Sequence, residues 1–552
     1  MRFLGVNAVF HDPAAALVVD GSTVAAAEEE RFSRRKHGKR PVPFSAWELP
    51  EQAMRWCLET AGLTSADLDG VAYSYDPSLV KPEQERLDPA WEDLRTLYAQ
   101  RAPNFLATAL PGLDPDRVRH VPHHVAHAAS AGLAAPPAGG ERDCAVFTAD
   151  GRGEDAAHLA GAYRGGELEV LARQALPHSL GLVYEDLTDH LGFQRSSDEY
   201  KVMALASSGT PRFIGAMREL IAPTGDGGVR VEPVDFAAFA KRRDRDAEVT
   251  GAHADLAASM QQRLEEVLLD LVAWLHRETG LRRLAMAGGV ALNCVANTRI
   301  AAEGPFEDVW VQPAAGDAGT ALGGALHLAQ EAGEDVSPMT GADLGRGWSE
   351  EELAAALEEA RLDYERPADI ADTVAAALAR DELVAWFQGR SEYGPRALGR
   401  RSLLANPTNA DNLDRINGVK GRESFRPVAP IVPADRAGEI FTRGPLPSPY
   451  MLFVHDVAER WRGRIPAAVH TDGTARVQTV EEGDELLSRL LRRFEARTSV
   501  PVLINTSLNT AGRPMVDSPR DALECFGSSP VDLLAIGPFV VRRSRLSGEG
   551  RD

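Results

Sequence analysis

The sequence predicts an α/β protein of two domains, the first of them built by duplication. Three observations carry this. The chain has 552 residues, too many for one ordinary hydrophobic core. A strand–loop–strand–turn–strand pattern occurs twice, near the start and again around residues 144–172, with a polar loop carrying Asp at the same point each time. An arginine-rich, glycine-punctuated segment then follows a buried strand near residue 384, in a chain that is otherwise acidic.

The first unit opens with a strand over residues 3–7. His11-Asp-Pro13 breaks it, Ala14–Val19 forms the second strand, and Asp20-Gly21 is a strong hairpin signal. Thr23–Ala27 returns as the third. A charge run, Glu28 to His37, leaves that strand directly, so part of it is expected to line a cleft rather than to be a solvated face. The second unit repeats the order: strand Cys144–Thr148, loop Asp150-Gly-Arg-Gly153, strand His158–Tyr163, turn Arg164-Gly-Gly166, strand Leu168–Ala172. Units duplicated in this way place their polar loops opposite each other around a nucleotide phosphate chain, the arrangement of the actin–hexokinase–Hsp70 superfold.

Between the two units, Val121-Pro-His-His-Val-Ala-His127 carries histidines at i and i+4. On a helix, His123 and His127 share one face and can hold one divalent metal ion from one side. His124 points elsewhere. No Glu follows the first His, so this is not a zincin motif. An isolated pair is more often a polar helix patch. Two glycine-flanked aspartates, Asp150 and Asp317, each after an apolar strand, change that balance. Such a His/Asp set accepts zinc, manganese or iron alike.

Ala254–Thr279 reads as a core helix, with Leu256, Met260, Leu264, Val267, Leu268, Leu271 and Leu275 at helical spacing and Gly280 as its stop. Leu284 to Asn293 is a strand, a glycine pair and a helix start, a place for a purine or ribose to lie against backbone with Asn293 free to hydrogen-bond it. Neither a Walker A sequence nor a G-x-G-x-x-G after a strand is present. Residues 330–370 read as acidic and helical and hold the domain boundary, near 345–370. Leu383–Phe387 opens the second domain. Arg390, Arg396, Arg400 and Arg401 follow among glycines, then Lys420, Arg422 and Arg426, then Arg476 in His470-Thr-Asp-Gly-Thr-Ala-Arg476. Guanidinium forks in such loops match phosphate or carbamoyl oxygens. A last strand is expected over Thr498–Ile504, ending in Asn505-Thr-Ser-Leu-Asn509.

Composition bounds the partners. The formal net charge is −21, which repels nucleic acid and anionic membranes and is compatible with a cationic or neutral small molecule. Four cysteines without a C-x-x-C pattern suggest neither a disulfide framework nor a thiolate zinc site. No signal peptide core and no run of about eighteen apolar residues is visible. The expectation is a cytoplasmic protein with no membrane partner and no nucleic-acid partner.

Taken together, Asn7 to Ala16, His123-His-Val-Ala-His127, Ala149-Asp-Gly-Arg-Gly-Glu154, Glu199-Tyr-Lys-Val-Met-Ala204, Ala287-Gly-Gly-Val-Ala-Leu-Asn293, Tyr393-Gly-Pro-Arg-Ala-Leu-Gly-Arg-Arg-Ser402, Lys420 to Pro427 and Asn505 to Asn509, in this order, resemble the carbamoyltransferases of the NodU/CmcH type. The resemblance spans essentially the whole chain. It implies a Kae1-like domain over residues 1–355 and a YrdC-like α/β domain over 370–552. It further implies an ATP-dependent O-carbamoyltransferase. The second domain would join carbamoyl phosphate and ATP, with Mg2+, into carbamoyl adenylate and release pyrophosphate. The first would move the carbamoyl group to a hydroxyl of a small, antibiotic-type natural product and release AMP. The implied metal is Fe2+ or another divalent ion on His123, His127, Asp150 and Asp317. Nucleotide contacts are implied at Asp150, Gly151, Gly153, Glu154, Gly289 and Asn293, and carbamoyl phosphate or ATP contacts at Arg396, Lys420, Arg426, Arg476 and Asn505. Asp12, Asp198 and Lys201 are candidate substrate contacts. Acceptor-binding residues are expected near 75–110 and 180–200.

The chemistry suits these residues. Adenylation gives a poor electrophile a good leaving group, a metal ion can act as a Lewis acid, and an acceptor hydroxyl must lose a proton. His11 is the candidate general base, since imidazole titrates near neutral pH. Two rival readings are threonylcarbamoyl transfer to tRNA, which the acidic balance disfavours, and an actin-like nucleotide-binding scaffold, which has no use for the histidine pair or the arginine cluster.

Overall fold

The computed structural model describes residues 1–37, 49–82, 86–423 and 426–543. Ser424 and Phe425, inside the Lys420–Pro427 motif, lie outside the described residues, as do 83–85 in the expected acceptor region.

The duplication is realised strand for strand. In the first half, β1 (Arg2–Asn7), β2 (Ala14–Val19), β3 (Ser22–Glu28), β4 (Gly70–Tyr73) and β5 (Val118–His120) form a sheet of order β3-β2-β1-β4-β5. Helix α1 (Pro89–Ala109) lies between β4 and β5, and α2 (His123–Gly132) follows β5. The second half begins with β6 (Cys144–Ala149), β7 (Ala156–Arg164) and β8 (Glu167–Ala175), followed by α3 (Leu180–His190), α4 (Glu199–Ala206) and the long α5 (Gly251–Thr279). Next come β9 (Arg283–Ala287), α6 (Cys294–Glu303), β10 (Asp308–Val311) and α7 (Ala318–Glu331). Its sheet runs β8-β7-β6-β9-β10, the same order as the first. In each sheet the first three strands are antiparallel and the last two join in parallel.

The two halves interlock through their terminal helices. Helix α7, from the second half, packs on β1, β2 and β4, while α2, from the first, packs on β6, β7 and β9. The two helices also pack on each other. This needs small residues. A Cβ on Gly5 of β1 would sit 1.7 Å from the Ala321 carbonyl oxygen of α7, and one on Gly323 of α7 would sit 1.8 Å from the Ala126 oxygen of α2. The alanines of α2 and α7 form one buried cluster with residues of both sheets. Helix α5 covers the far face of the second sheet, as its apolar spacing predicts, and ends at Gly280 with φ of 63°.

Residues 332–349 are not helical as expected. They form an irregular strap, with Ser337 N donating to the Gly21 oxygen and Met339 N to Ala134. Helix α8 (Glu350–Glu359) follows and packs in the core of the second domain. That domain is built on seven strands: β11 (Val384–Phe387), β12 (Arg401–Ala405), β13 (Ala429–Pro433), β14 (Gln478–Val480), β15 (Leu503–Ser507), β16 (Leu533–Ile536) and β17 (Phe539–Arg542), in the order β14-β13-β15-β12-β11-β16-β17. Strand β15 starts later than expected. Thr498 ends a helix, Ser499 caps it at φ of 58°, and Pro501 has no N–H for a ladder.

The charge run after β3 ties the domains together through Glu28, Arg31 and Arg34, and its end, His37, reaches the β1–β2 loop. Glu28 and Arg31 are a buried ion pair at 3.3 Å. Arg31 donates to the Gly394 oxygen at 2.8 Å, and Gly394 N donates back to Glu28 at 2.8 Å. Arg34 donates to the oxygens of Met515 and Pro514 and pairs with Asp521 at 3.1 Å. Among the described residues no helix is long and apolar enough to cross a membrane.

Gly5→Ala and Gly323→Ala each force backbone apart at the helix–sheet and helix–helix contacts. Each is expected to cost about 1–3 kcal/mol or more and to lower the unfolding midpoint followed by circular dichroism.

Candidate metal centre and arginine cluster

Helix α2 is held by three polar anchors before its histidines meet any acid. Glu154 accepts from the backbone N–H of His123 at 2.8 Å, at the helix start, and from Asp76 N at 2.7 Å. His124 bonds to Thr148 Oγ1 at 3.2 Å and to the Ala156 oxygen at 3.1 Å, fixing the helix to β6 and β7. Burial and the neighbouring histidines hold His124 well below the usual imidazole range, so it is neutral. It is a structural residue, as its direction on the helix predicts.

His123 and His127 are fully buried. His127 Nε2 lies 3.0 Å from Asp150 Oδ2 and 3.6 Å from Asp317 Oδ1; His123 Nε2 lies 3.9 and 3.6 Å from the same two atoms. One ligand atom from each of the four residues falls within 4.8 Å of every other. Asp150 ends β6, where Ser179, the N-cap of α3, donates to the Asp150 and Gly151 oxygens. Asp317 stands at the N-terminus of α7. So the interlocked helices bring one histidine pair and one aspartate, and β6 brings the other.

The donor set suits a divalent cation. Both ring nitrogens of His123 and Nδ1 of His127 are buried without a hydrogen-bond partner, a costly state that a ligated ion relieves in part. Burial opposes a charge on His123, but the nearby carboxylates of Asp150 and Asp317 push it up to about 9. Burial and the Asp150 charge raise Asp317. For Asp150, the two neighbouring histidines, His127 by a hydrogen bond, outweigh burial and hold it well below the usual carboxylate range.

The glycine loops around this group fit closely. A Cβ on Gly151 would lie 2.6 Å from Glu185 Oε1, one on Gly153 3.0 Å from the His124 ring, and one on Gly289 3.0 Å from Asp150 Oδ1. Asn293 is less free than expected. Its Oδ1 caps α6 at Ala296 N, and its amide pairs with Gln261 in both directions.

His11 lies in the β1–β2 loop with Asp12, whose φ is 47°. Its Nδ1 is 3.0 Å from Asp12 Oδ2, and His37 Nδ1 is 3.1 Å from Asp12 Oδ1, with the two rings stacked at 4.8 Å. Burial works against a charge on His11, yet the charge and hydrogen bond of Asp12 push it up to about 10. Nothing in the charge run marked His37 as the second partner of Asp12; the loop geometry alone brings it there.

In the second domain, Arg396, Lys420, Arg422, Arg426 and Arg476 gather. Burial and mutual repulsion lower the proton affinity of Arg396, Lys420, Arg422 and Arg476. Arg396 Nε, Arg476 Nε and an Arg422 nitrogen are buried without partners, as is Asn505 Oδ1 beside them on β15. Asn505 Nδ2 donates to the Ala397 oxygen and to Gln478 Oε1. Lys420 Nζ bonds to Ser507 and Asn509. The other arginines of the expected cluster are structural. Arg401 is buried against Phe387 and donates to four backbone carbonyls. Arg390 bonds to the oxygens of Val24, Leu344 and Gly345, and Arg400 pairs with Asp484 and Asp343.

One turn borders both sites. Gly289 packs on Asp150, and three residues later the Leu292 oxygen accepts from Arg396 at 3.5 Å. Arg426 lies over the Tyr200 ring at 4.6 Å, and Lys201 on α4 pairs with Asp198 and with Glu423, both at 3.1 Å.

With His123 pushed up to about 9, a divalent ion bound at this centre would displace its proton. Affinity for a divalent ion is therefore expected to rise with pH up to about 9, by roughly tenfold per unit for each proton released, and to be lost in His127→Ala. Metal content after dialysis at pH 6, 7 and 8 checks this.

Sequence comparison agrees with the two-domain geometry. Residues 2–112 and 107–326 match the family described as Carbamoyltransferase N-terminus, and 375–543 match Carbamoyltransferase C-terminus. An uncharacterized protein of Synechocystis is 37% identical over 98% of this chain and 97% of its own length. Nodulation protein NolNO of Sinorhizobium fredii is 37% identical over 98% of this chain and 80% of its own. Nodulation protein U of Rhizobium tropici is 31% identical over 93% and 92%. With both halves of the fold matched and these relatives aligned over 80–97% of their lengths, the chain belongs to the carbamoyltransferase family.

Proposed function

We propose that this carbamoyltransferase is an ATP-dependent O-carbamoyltransferase working through carbamoyl adenylate, with a small hydroxyl compound as acceptor. The observation that carries the reading is the turn from Gly289 to Cys294, which touches Asp150 at one end and Arg396 at the other. Two halves of one reaction sequence need such proximity, because a carbamoyl adenylate exposed to water would hydrolyse.

In the second domain Arg396, Lys420, Arg422, Arg426 and Arg476 hold the phosphates of carbamoyl phosphate and ATP. Buried guanidinium groups with unpaired nitrogens form strong charge-assisted bonds to such anions. Asn505 orients the carbamoyl group, with its unpaired Oδ1 as acceptor for the carbamoyl N–H. The products are carbamoyl adenylate, pyrophosphate and, with water, phosphate. In the first domain Gly151, Gly153 and Gly289 let the adenylate phosphate approach backbone, while Glu154 keeps the His123 end of α2 in place. His123, His127, Asp150 and Asp317 hold a divalent ion, for which Fe2+ is the candidate and which supplies Lewis-acid stabilisation when bound. His11 Nε2 takes the acceptor hydroxyl proton. Its Nδ1 faces Asp12, which fixes the tautomer and stabilises the charged ring.

Incubation with ATP and carbamoyl phosphate is expected to give pyrophosphate only when both are present. Arg426→Ala should abolish it, whereas His11→Asn should keep it and lose transfer to the acceptor. Equal loss of both steps in His11→Asn would remove the base assignment.

A base must be neutral to accept a proton. Because Asp12 raises His11, the transfer rate should climb above neutral pH, and Asp12→Asn should move that limb to lower pH while lowering the plateau. A limb unmoved by Asp12→Asn in the pH–rate profile would contradict the dyad.

A further inference from the structure

We propose that Arg95 and Arg152 form an anion-binding subsite at the mouth of the transfer site, and that the hydroxyl acceptor carries a carboxylate or phosphate group which they hold. The inference deepens the reading above and rests on it for what the acceptor is.

Arg95 projects from α1, within the span where acceptor contacts are expected. Its guanidinium carbon lies 5.3 Å from the centroid of the Phe10 ring. Phe10 directly precedes His11, and its ring stands 5.1 Å from the His123 imidazole and 5.5 Å from the Tyr75 ring. One aromatic ring therefore separates Arg95 from the metal-binding pair. Arg152 sits two residues beyond Asp150, between the glycines of the second polar loop, and its charge is felt at Arg95. Both side chains are half-buried.

Neither arginine has a hydrogen bond or an ion pair among the described residues. The acids closest in the chain are otherwise placed or committed. Glu154 is bound to the amides of Asp76 and His123, Asp155 pairs with Arg173 at 2.7 Å, and Asp88 and Glu92 on the α1 side act on Arg95 only at longer range. Two neighbouring cations, partly desolvated and without a counterion among the described residues, repel each other, and a bound anion removes that cost. The partly exposed Phe10 ring beside them, backed by the buried Tyr75, offers an apolar face for a sugar ring or a similar body. A guanidinium fork takes a carboxylate or a phosphate equally well, so the class is an acidic alcohol such as a uronic acid or a sugar phosphate. Net charge is compatible with a cationic or neutral small molecule, but two unpaired guanidinium groups select locally for an anion.

The test uses three probes that share one sugar body: glucose, glucuronate and glucose 6-phosphate. Their dissociation constants are measured by titration calorimetry with the full chain, Arg95→Gln, Arg152→Gln, the double variant, and Arg396→Gln as a control for the second-domain cluster. Thermal midpoints confirm that each variant is folded. At least one charged sugar is expected to bind about tenfold or more tighter than glucose. Each single variant should reduce that preference and the double variant erase it, with Arg396→Gln leaving it intact. Glucuronate alone preferred would identify a carboxylate acceptor, glucose 6-phosphate alone a phosphorylated one. Equal binding or no binding of all three, a preference that survives the double variant, or one lost in Arg396→Gln would overturn the proposal. The pyrophosphate assay needs no acceptor, so it reads the adenylation chemistry separately from this subsite.

Discussion

The structure depends on the contact between α2 and α7. Each helix belongs to one half of the duplication and packs on the sheet of the other, so neither half can bury its own terminal helix alone. Gly5 and Gly323 let backbone meet backbone there. That close approach is what puts Asp317, at the start of α7, over the histidines of α2. A looser contact would separate the carboxylate from the imidazoles by more than a shared ion can span. The alanine richness of both helices thus has a functional consequence, because small side chains set the distance at which four ligand atoms converge.

Both candidate sites bury charge, and they do so in opposite senses. In the first domain two carboxylates and two imidazoles face each other, partly compensated, with ring nitrogens left over. In the second, five cations converge with few acids, among which Glu423 is the nearest partner of Arg426, at 3.7 Å. Buried charge is costly without a partner, so the proposed cation in one site and anion in the other would each offset that cost. The acidic surface of the chain does not contradict this. Net charge governs long-range behaviour, while recognition is decided within a Debye length of about 8–10 Å.

Much of this was legible in the sequence, for identifiable reasons. Strand alternation and hairpin turns are local, so the two meanders were readable, and their repetition exposed the duplication. The histidine pair is a helix-periodic signal, and Asp150 and Asp317 are flanked by glycines at strand ends, so the four side chains that converge could be picked out. The strap over 332–349 was not legible, because its conformation is fixed by hydrogen bonds to Gly21 and Ala134, far away in the chain. The arginines show the same limit. Arg396 and Arg401 sit in one motif with like neighbours, yet one faces the cluster and the other donates to four carbonyls beneath Phe387. Which fate each meets is decided by the bend of the loop, which Glu392 sets by accepting from the amides of Leu398, Arg400 and Arg401. His37 is a like case, since only the fold of the charge run brings it to Asp12.

That same loop explains how two domains can act as one. Tyr393 of the second domain donates its hydroxyl to the Ala318 oxygen, the residue after Asp317. Gly394 has no room for a Cβ, which would fall 2.7 Å from the Pro313 oxygen. It is clasped from the other side by Glu28 and Arg31. The segment that delivers Arg396 is therefore bound at successive residues to the loop that delivers Asp317. A buried, hydrogen-bonded junction of this kind resists hinge motion, because opening it would strand the Glu28–Arg31 pair in water-poor surroundings. The distance between the arginine cluster and the metal-binding group is consequently set by the fold, with the Gly289–Cys294 turn filling the space between them. An intermediate made at the arginine cluster, as proposed above, would have a separation fixed by this junction to cross.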